Sequence, residues 1–253
     1  MGSFDQGLAG MVSLQAVNEW IGIINSNLGG SNRTAYKATR VSFGGGVAQI
    51  YRDPIATANG VQVPDSTLKV DNTRIDFSQG TIIQDGELTH VAISGDAFFA
   101  VSDGVTTFYT RDGAFRWSVL NTFTVLTTAG GLTVLPVGAA IGGNIRRIGT
   151  GATFAVSISS VNGATSCIAV FRFANNQALK FSKYGSTVFD SINAGAANAV
   201  TDVELIQSGL ESSNAALNDT LPELSLAQKL FSAVSKIINV HNSNLDIVVN
   251  LIR

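Results

Sequence analysis

The side chains that could carry out chemistry in this chain are few and lie far apart in the sequence. The chain has one cysteine, Cys167, and two histidines, His90 and His241. A nucleophilic thiol needs a base beside it, but each of these residues falls in a different predicted element. At such long spacing they also lack the close ligand spacing of a zinc site. We therefore interpret Cys167 as a buried, inert thiol.

Other chemical patterns in the sequence are incomplete. The run Gly44-Gly45-Gly46 could cradle a phosphate, but no Lys-Ser or Lys-Thr pair follows it. The aspartates of the predicted loops lack the spacing of a calcium-binding loop; they are Asp65, Asp71, Asp76, Asp85, Asp96 and Asp103. The sequence therefore predicts that the protein is not an enzyme and has no catalytic residues, metal, cofactor or small-molecule substrate.

The composition favours protein partners over nucleic acid. Charged residues make up 13% of the 253 residues and hydrophobic residues 45%, whereas charged residues usually make up about a quarter. We expect a surface with so few charges to be covered in part by partners. The formal net charge is -2, and basic residues form no run longer than Arg146-Arg147. No nucleic-acid partner is therefore predicted.

The last stretch of the chain has the strongest periodicity. A first seam follows the alternating spacings of four and three that are typical of a coiled coil; it contains Leu217, Leu221, Leu224, Gln228, Phe231, Ser235, Ile238, Asn242, Leu245, Val249 and Ile252. A second stripe beside it contains Leu226, Leu230, Val234, Ile237, His241 and Val248. A helix that packs on one core needs a single apolar stripe, so this helix is predicted to have neighbours on several sides.

The N-terminal segment has a matching pattern. The same alternation of three and four is kept by Leu14, Val17, Ile21, Ile24 and Leu28. Gly29-Gly30 then predicts the end of the helix near Leu28, because glycine is common just past the last periodic residue. We expect the two terminal helices to pair as a coiled coil and to form an assembly interface that contains Leu14, Val17, Ile21, Ile24, Leu28, Leu224, Leu230, Phe231, Ile237, Ile238, Leu245 and Val249.

Between the helices the pattern changes to that of β-strands. Apolar runs alternate with turn signals such as Ser94-Gly95-Asp96, Arg111-Asp112-Gly113 and Asn162-Gly163, which is typical of an all-β domain. The predicted fold class is therefore α+β. We predict a discontinuous coiled-coil domain at 1–30 and 203–253, an extended linker arm at 31–66, and a central β domain at 67–202.

Short motifs occur in order along the whole chain. Their residues include Asn25, Asn27, Asn32, Thr34, Tyr36, Lys37, Gly95, Phe98, Phe99, Tyr109, Arg111, Gly113, Phe115, Leu210, Glu211, Ser213 and Asn214. Any one of these motifs is weak, but several in the same order are specific. Together they resemble the bacterial flagellar rod and hook family, and most closely its basal-body rod proteins.

The resemblance implies a structural subunit that polymerises helically into a tube. The terminal helices would line the inner channel and the β domain would face outwards. The implied partners are further copies of the chain and other axial rod and hook proteins. Export without a cleaved signal peptide is also implied, to a basal-body rod or an extracellular tubular filament, and the N-terminal sequence does not have the pattern of a signal peptide.

Individual motif residues have simpler interpretations as well. Phe98, Phe99 and Phe115 fit the core of the β domain. For the asparagines Asn25, Asn27 and Asn32, two roles stay open: to fix the end of the helix and the path of the linker, or to contact a neighbouring subunit. The family pattern usually has glycine where this chain has Ala35.

A second hypothesis for the function comes from a different class of protein. The chain could be a secreted β-domain adhesin or binding module that uses its helices only to dimerise. A dimer needs one apolar seam, whereas a tube needs helices that are covered on several sides. The second stripe on the C-terminal helix therefore favours the tube.

Overall fold

The structure of the protein is a computed structural model. It describes residues 2–45, 49–50, 62–63, 67–120, 123–135, 145–148, 155–159, 165–168, 170–200 and 203–251. The chain forms two compact units. The helical unit consists of Met1–Leu28, Thr39–Arg74 and Leu217–Arg253, and the β unit consists of Gly29–Ala38 and Ile75–Ala216.

The helical unit contains the two long helices of the chain. Helix α1 spans Gly2–Gly30 and helix α2 spans Leu217–Leu251. Helix α1 therefore ends two residues beyond the predicted Leu28, within the glycine pair itself. The strands of this part of the chain are β1 (Thr39–Gly45), β2 (Gln49–Ile50), β3 (Gln62–Val63) and β4 (Leu68–Ile75).

Within the helical unit, helix α1 contacts α2, β4 and β1. At Gly10, an added Cβ atom would lie 2.6 Å from Cγ1 of Ile238, so α1 and α2 approach closely there. Further along α1, the Ser13 hydroxyl accepts a hydrogen bond of 2.9 Å from the backbone N–H of Leu68 in β4. The ring of Trp20 meets the ring of Phe43 in β1 edge to face, with 5.3 Å between centroids. The β1–β4 pair is therefore fastened to the first helix.

The face of α2 that is covered within the chain overlaps only in part with the first seam. Its buried or half-buried residues include Thr220, Leu224, Ala227, Val234, Ile238, His241 and Leu245. Six members of the first seam are exposed instead; they are Leu217, Leu221, Gln228, Phe231, Asn242 and Val249. The two buried residues of the covered face, Thr220 and Ala227, have small side chains. We call this covered set the inner stripe.

The β unit contains most of the strands and one turn of 3-10 helix at Asn176–Ala178. Its strands are β5 (Ile82–Gln84), β6 (Val91–Ser94), β7 (Phe98–Ser102), β8 (Thr107–Thr110), β9 (Arg116–Leu120), β10 (Phe123–Thr127), β11 (Thr133–Val134), β12 (Ile145–Ile148), β13 (Ala155–Ser159), β14 (Thr165–Cys167), β15 (Val170–Arg172), β16 (Lys180–Ser182), β17 (Gly185–Asp190), β18 (Asn198–Ala199), β19 (Glu204–Gln207) and β20 (Gly209–Glu211).

The largest sheet of the β unit is antiparallel. Its order is β16-β17-β8-β7-β11-β10-β9, and β15 also pairs with β7 and β18. The last strands before α2 return to earlier parts of the chain, because β19 pairs with β6 and β20 pairs with β5. Residues 203–216, predicted to belong to the helical domain, lie in the β unit, where they include these two strands.

Both faces of strand β7 are buried, and consecutive residues contribute to different clusters. Phe99 and Val101 belong to a cluster with Val91 and Phe115. Phe98 and Ala100 belong to a second cluster, as the two-residue repeat of a strand requires. The Phe98 ring packs edge to face against the rings of Phe77, Phe173 and Phe189. The aromatic residues of the motifs are therefore core residues.

The predicted α+β class is confirmed. The pairing of the two helices as a coiled coil stays a prediction. Much of the predicted linker arm, residues 46–48, 51–61 and 64–66, lies outside the described residues. The side chain of Cys167 is also outside the described part, so its interpretation as a buried thiol stays a prediction too.

Candidate functional site

Three motif residues from distant parts of the chain meet in a buried charge cluster within the β unit. Lys37 Nζ lies 2.6 Å from Glu211 Oε1, and both side chains are fully buried. Arg111 Nε lies 3.2 Å from Glu211 Oε2, with the Arg111 side chain 2% exposed. We call these three residues the charge cluster. It joins the segment after α1, the strand that precedes α2, and the middle of the β unit.

Lys37 Nζ and Glu211 Oε1 each have a further hydrogen-bond partner, whereas Glu211 Oε2 and Arg111 Nε make no hydrogen bond. Lys37 Nζ also donates a hydrogen bond of 2.7 Å to the carbonyl oxygen of Ser78. Glu211 Oε1 accepts a second hydrogen bond, of 2.8 Å, from the backbone N–H of Gly80. Such partners offset part of the free-energy cost of burying charge. An added Cβ at Gly80 would lie 2.0 Å from the carbonyl oxygen of Ser212, so only glycine fits this approach.

Burial affects the pKa of the two cations of the cluster, Lys37 and Arg111. Burial lowers the pKa of Lys37, and the negative charge of Glu211 and its hydrogen bond act in the opposite direction. Burial likewise lowers the pKa of Arg111, again opposed by Glu211. Glu211 thus acts on the pKa of both cations in the direction opposite to burial. We interpret the cluster as an ion pair that holds distant segments together, because its groups are paired with one another and closed off from solvent.

Arg111 also organises the turn that precedes β7. Its Nη1 donates hydrogen bonds of 2.5 Å and 2.6 Å to the carbonyl oxygens of Gly95 and Ala97. The guanidinium carbon lies 5.6 Å from the centre of the Phe98 ring, within the range of a cation–π interaction. Gly95 has φ +132, a conformation that glycine adopts freely. The glycine and the arginine of two separate motifs therefore form one local structure.

Two motif asparagines each make a pair of side-chain hydrogen bonds to the backbone, one within each unit. In the helical unit, the Asn27 side-chain amide donates a hydrogen bond of 2.8 Å to the Thr39 carbonyl oxygen. It also accepts a hydrogen bond of 2.9 Å from the Thr39 backbone N–H. In the β unit, the Asn214 side chain accepts a hydrogen bond of 2.7 Å from the backbone N–H of Ala38. It donates another hydrogen bond of 2.7 Å to the carbonyl oxygen of Asp76. For Asn27, the role of fixing the chain path is therefore supported.

The segment between α1 and Lys37 is held in an unusual backbone conformation. Ala35 has a backbone φ of 53° and is fully buried. Its backbone N–H donates a hydrogen bond of 2.7 Å to the carbonyl oxygen of Glu211. The hydroxyl group of the preceding residue, Thr34, donates a hydrogen bond of 2.8 Å to Asp112 Oδ1. Burial raises the pKa of Asp112, while hydrogen bonds from Ala114 and Thr34 lower it. The left-handed conformation explains why the family pattern usually has glycine at this position.

The remaining motif residues fall into two groups. Tyr36, Tyr109 and Phe115 are buried. Gly113 lies so close to the backbone of Val91 that an added Cβ would be 1.6 Å from the Val91 carbonyl oxygen. Asn25 and Asn32 are exposed. An open surface cleft of about 320 Å³ beside the charge cluster is lined by Asn32, Thr34, Leu210 and Ser213, among others.

The helix residues expected at an assembly interface are also divided. Val17 and Ile24 are buried, and the half-buried members are Leu14, Ile21, Leu28, Leu224, Ile238 and Leu245. Leu230, Phe231, Ile237 and Val249 are exposed. Part of the predicted interface is therefore covered within one chain, and an apolar part of α2 is left open.

Sequence reasoning missed some polar contacts. The sequence places Asp112 in a turn, and nothing in the sequence signals its hydrogen bond to Thr34. The pair of His90 Nδ1 and Asp85 Oδ2 was also not predicted, although the two residues are only five positions apart. Across the described ranges, His, Cys, Asp and Glu side chains do not gather in groups that could hold a metal ion. Neither helix, over its described length, is apolar enough to cross a membrane.

Comparison with known proteins agrees with the resemblance to flagellar rod and hook proteins. The family model described as "Flagellar hook protein FlgE/F/G D1 domain" matches residues 92–166. The flagellar basal-body rod protein FlgG of Bacillus subtilis is 30% identical over 272 residues, which cover 99% of each chain. FlgG of Borreliella burgdorferi is 30% identical over 251 residues, or 91% of this chain and 92% of that protein.

Hook proteins are similar over a shorter region. The flagellar hook protein FlgE of Helicobacter pylori is 33% identical over 135 residues, which cover 50% of this chain and 18% of that protein. The likeness to the rod proteins, in contrast, runs from the first helix to the last and includes the segments that the charge cluster joins. This chain therefore belongs to the flagellar rod and hook protein family.

Proposed function

We propose that the protein is a structural subunit that polymerises helically into a rod- or hook-like tubular axial filament of the flagellar type. The helical unit lines the inner channel, and the β unit forms the outer wall. Its partners are further copies of the same chain, and other axial rod and hook proteins at the ends of the segment. We place it in the flagellar basal body or in an extracellular tubular filament, reached by export without a cleaved signal peptide.

The observation that carries this proposal is the exposed apolar surface of α2. Leu230 is 37% exposed, Ile237 64% and Val248 52%, and they lie on one flank of the helix. Single exposed apolar residues are normal, but a continuous row along a long helix is of the size that marks an interface. A helix lining a tube meets the helices of neighbouring copies, which would cover this flank.

The architecture of the β unit supports an outer position. Both faces of β7 are already covered within the chain, and the charge cluster is closed off from solvent. Over its described residues, the β unit therefore buries two hydrophobic clusters of its own. The similarity to rod proteins over nearly the whole chain favours a polymeric subunit over an isolated binding module.

The first prediction tests the exposed flank of α2. Replacing Leu230 and Ile237 together by Ser should leave the subunit folded, because the inner stripe and the β core are unchanged. It should abolish long filaments, because each contact is repeated at every subunit and an open helical polymer depends on that repetition. Filament length and yield would be measured by negative-stain microscopy, and folding by circular dichroism.

The matched control is on the β unit. Ile83 and Leu88 are exposed to a similar degree, 55% and 57%, and replacing both by Ser should leave filaments unchanged. Filaments of normal length from the α2 variant would contradict the proposal. Dimers that dissociate in the α2 variant, with no filaments from the unmodified chain, would favour the adhesin or binding module.

A further inference from the structure

The last segment of the β unit, residues 203–216, pairs with strands from much earlier in the chain. We call this segment the closing strap. It contains β19, which pairs with β6, and β20, which pairs with β5. Among the described strands, β19 is the only pairing partner of β6, and β20 is the only pairing partner of β5. Two earlier strands of the β unit therefore depend on the strap for their place in a sheet.

The strap also supplies part of the hydrophobic core. Val203 and Leu205 are buried members of the cluster that contains Phe99 of β7. Leu205 lies opposite Ile93 of β6, which is fully buried. Burial of apolar surface is the main favourable contribution to folding. A β unit without the strap would lose two side chains from this cluster.

The carboxylate of the charge cluster also belongs to the strap. Glu211 pairs with Arg111 and with Lys37, which lies 174 positions earlier in the chain. Both cations are buried within the β unit. A buried charge that has lost its partner is strongly unfavourable, so the native packing around Lys37 and Arg111 is favourable only when Glu211 is in place.

Backbone hydrogen bonds add to this dependence. The N–H of the buried residue Ala35 donates a hydrogen bond of 2.7 Å to the carbonyl oxygen of Glu211. The N–H of Ser212 donates one of 2.8 Å to the carbonyl oxygen of Thr81. Buried backbone groups need partners, and Ala35 would lose its partner if the strap were absent.

The strap in turn needs the earlier strands. Ser208, between β19 and β20, has a backbone φ of 58°, in a region that residues other than glycine occupy at a cost in free energy. Its N–H donates a hydrogen bond of 2.8 Å to the carbonyl oxygen of His90, and its carbonyl oxygen accepts one of 3.0 Å from the N–H of Asp85. Such a conformation persists only where the surrounding structure holds it. Both partners lie in the loop between β5 and β6, so the strap and these strands stabilise each other.

We propose that the β unit folds in a single step that requires the closing strap, so that the residues before 203 stay without native packing until residues 203–216 are available. Domains generally fold as units while the chain is made from its N-terminus. This β unit is available as a unit only after residue 216 has been made. The strap is therefore a timing device that keeps the β unit unfolded while its earlier strands are synthesised. The proposal goes beyond the proposed function and does not rest on it.

Refolding of the unmodified full-length chain tests this order. The chain would be diluted from urea and labelled by short pulses of hydrogen exchange at increasing times. Mass spectrometry would then follow two peptides, one that contains β7 and β8 and one that contains β19 and β20. We expect amide protection to appear at the same rate in both peptides. Protection of β7 and β8 that appears several times faster than protection of the strap would overturn the proposal.

A matched pair of substitutions tests the same dependence in the folded protein. Leu205→Ala should speed amide exchange in β7 about 30-fold, because loss of a buried leucine commonly shifts an unfolding equilibrium by at least that factor and β7 opens together with the strap. Leu224→Ala is the control, since Leu224 is half-buried in α2 of the helical unit. It should leave exchange in β7 unchanged.

The distribution of the faster exchange decides the outcome. Faster exchange in Leu205→Ala that is confined to the strap, β5 and β6 would overturn the proposal, because β7 would then stay folded while the strap is open. If Leu205→Ala does not fold, Val203→Ala removes a smaller part of the same cluster and gives the same comparison. Filament assembly enters none of these measurements, so the proposed function is tested separately.

Discussion

At the scale of single residues, Glu211 is the centre of the β unit's polar core. Its carboxylate lies within 2.6 Å of Lys37 Nζ and 3.2 Å of Arg111 Nε, and its carbonyl oxygen accepts from Ala35. An isolated buried carboxylate would be costly, and a paired one is stable only while its partners stay in place. The cluster therefore makes the position of the segment after α1 depend on the strand before α2.

The second prediction concerns Lys37. Replacing Lys37 by Met should lower the free energy of unfolding of the β unit by about 3–5 kcal/mol, because Glu211 loses its shorter ion pair while remaining buried. Lys180→Met is the control: Lys180 is exposed, and the change should stay within about 0.5 kcal/mol. Urea unfolding followed by tryptophan fluorescence and circular dichroism measures both.

A double-mutant cycle separates the ion pair from general packing. Adding Glu211→Gln to Lys37→Met should cost less than the sum of the two single changes, because the second substitution removes the charge that the first leaves unpaired. Strictly additive losses would contradict the interpretation of the cluster as a coupled unit.

The third prediction concerns Ala35, whose backbone is left-handed. Ala35→Gly should raise the free energy of unfolding by about 0.5–1 kcal/mol, since relief of the left-handed strain outweighs the lost methyl group and the added chain entropy. Ala38→Gly is the control, because Ala38 is buried and has no left-handed φ. It should destabilise the protein instead. A loss of stability in both variants would show that Ala35 is unstrained.

The motif residues could be recognised from the sequence, but their roles could not. Lys37, Arg111 and Glu211 are separated by long stretches of chain, and no local periodicity links a lysine in a linker to a glutamate in a late strand. The aromatic residues were predictable as core, because alternation in a strand assigns them to a buried face. The left-handed Ala35 was visible only as a departure from the family's usual glycine.

At the scale of elements, the helices show what periodicity can and cannot establish. Several stripes of α2 are apolar, so the sequence indicated neighbours on more than one side. It did not distinguish the inner stripe from the first seam, because Phe231 and Leu221 are more apolar than Thr220 and Ala227. Close approach favours small side chains at a helix contact, and this geometric requirement is not visible in a hydrophobic pattern.

The fourth prediction tests that close approach. Gly10→Val should destabilise the helical unit by about 1–3 kcal/mol, because the added side chain would overlap Ile238 in a packed contact. Gly22→Val is the matched control, since an added Cβ there meets nothing within 4 Å and valine favours the helix more than glycine does. Thermal unfolding monitored at helix wavelengths compares them. Equal stability of the two variants would contradict the contact between α1 and α2 at Gly10.

At the scale of the whole molecule, the low charge content and the apolar surface of α2 have one explanation. Charged residues make up 13% of the chain, and the exposed apolar residues of α2 form a row rather than scattered points. The β unit buries its own core, whereas the helical unit leaves an apolar flank exposed. Under the proposed function, further copies of the chain would cover this flank.

The fifth prediction is tested by electron cryo-microscopy of the purified full-length chain after concentration. The proposed function predicts hollow filaments, with a ring of helix density around a central channel and the β density outside it. The exposed flank of α2 should contact helices of neighbouring copies in every subunit. Particles that remain monomers or closed dimers at all concentrations, or filaments whose channel is lined by β density, would contradict the account.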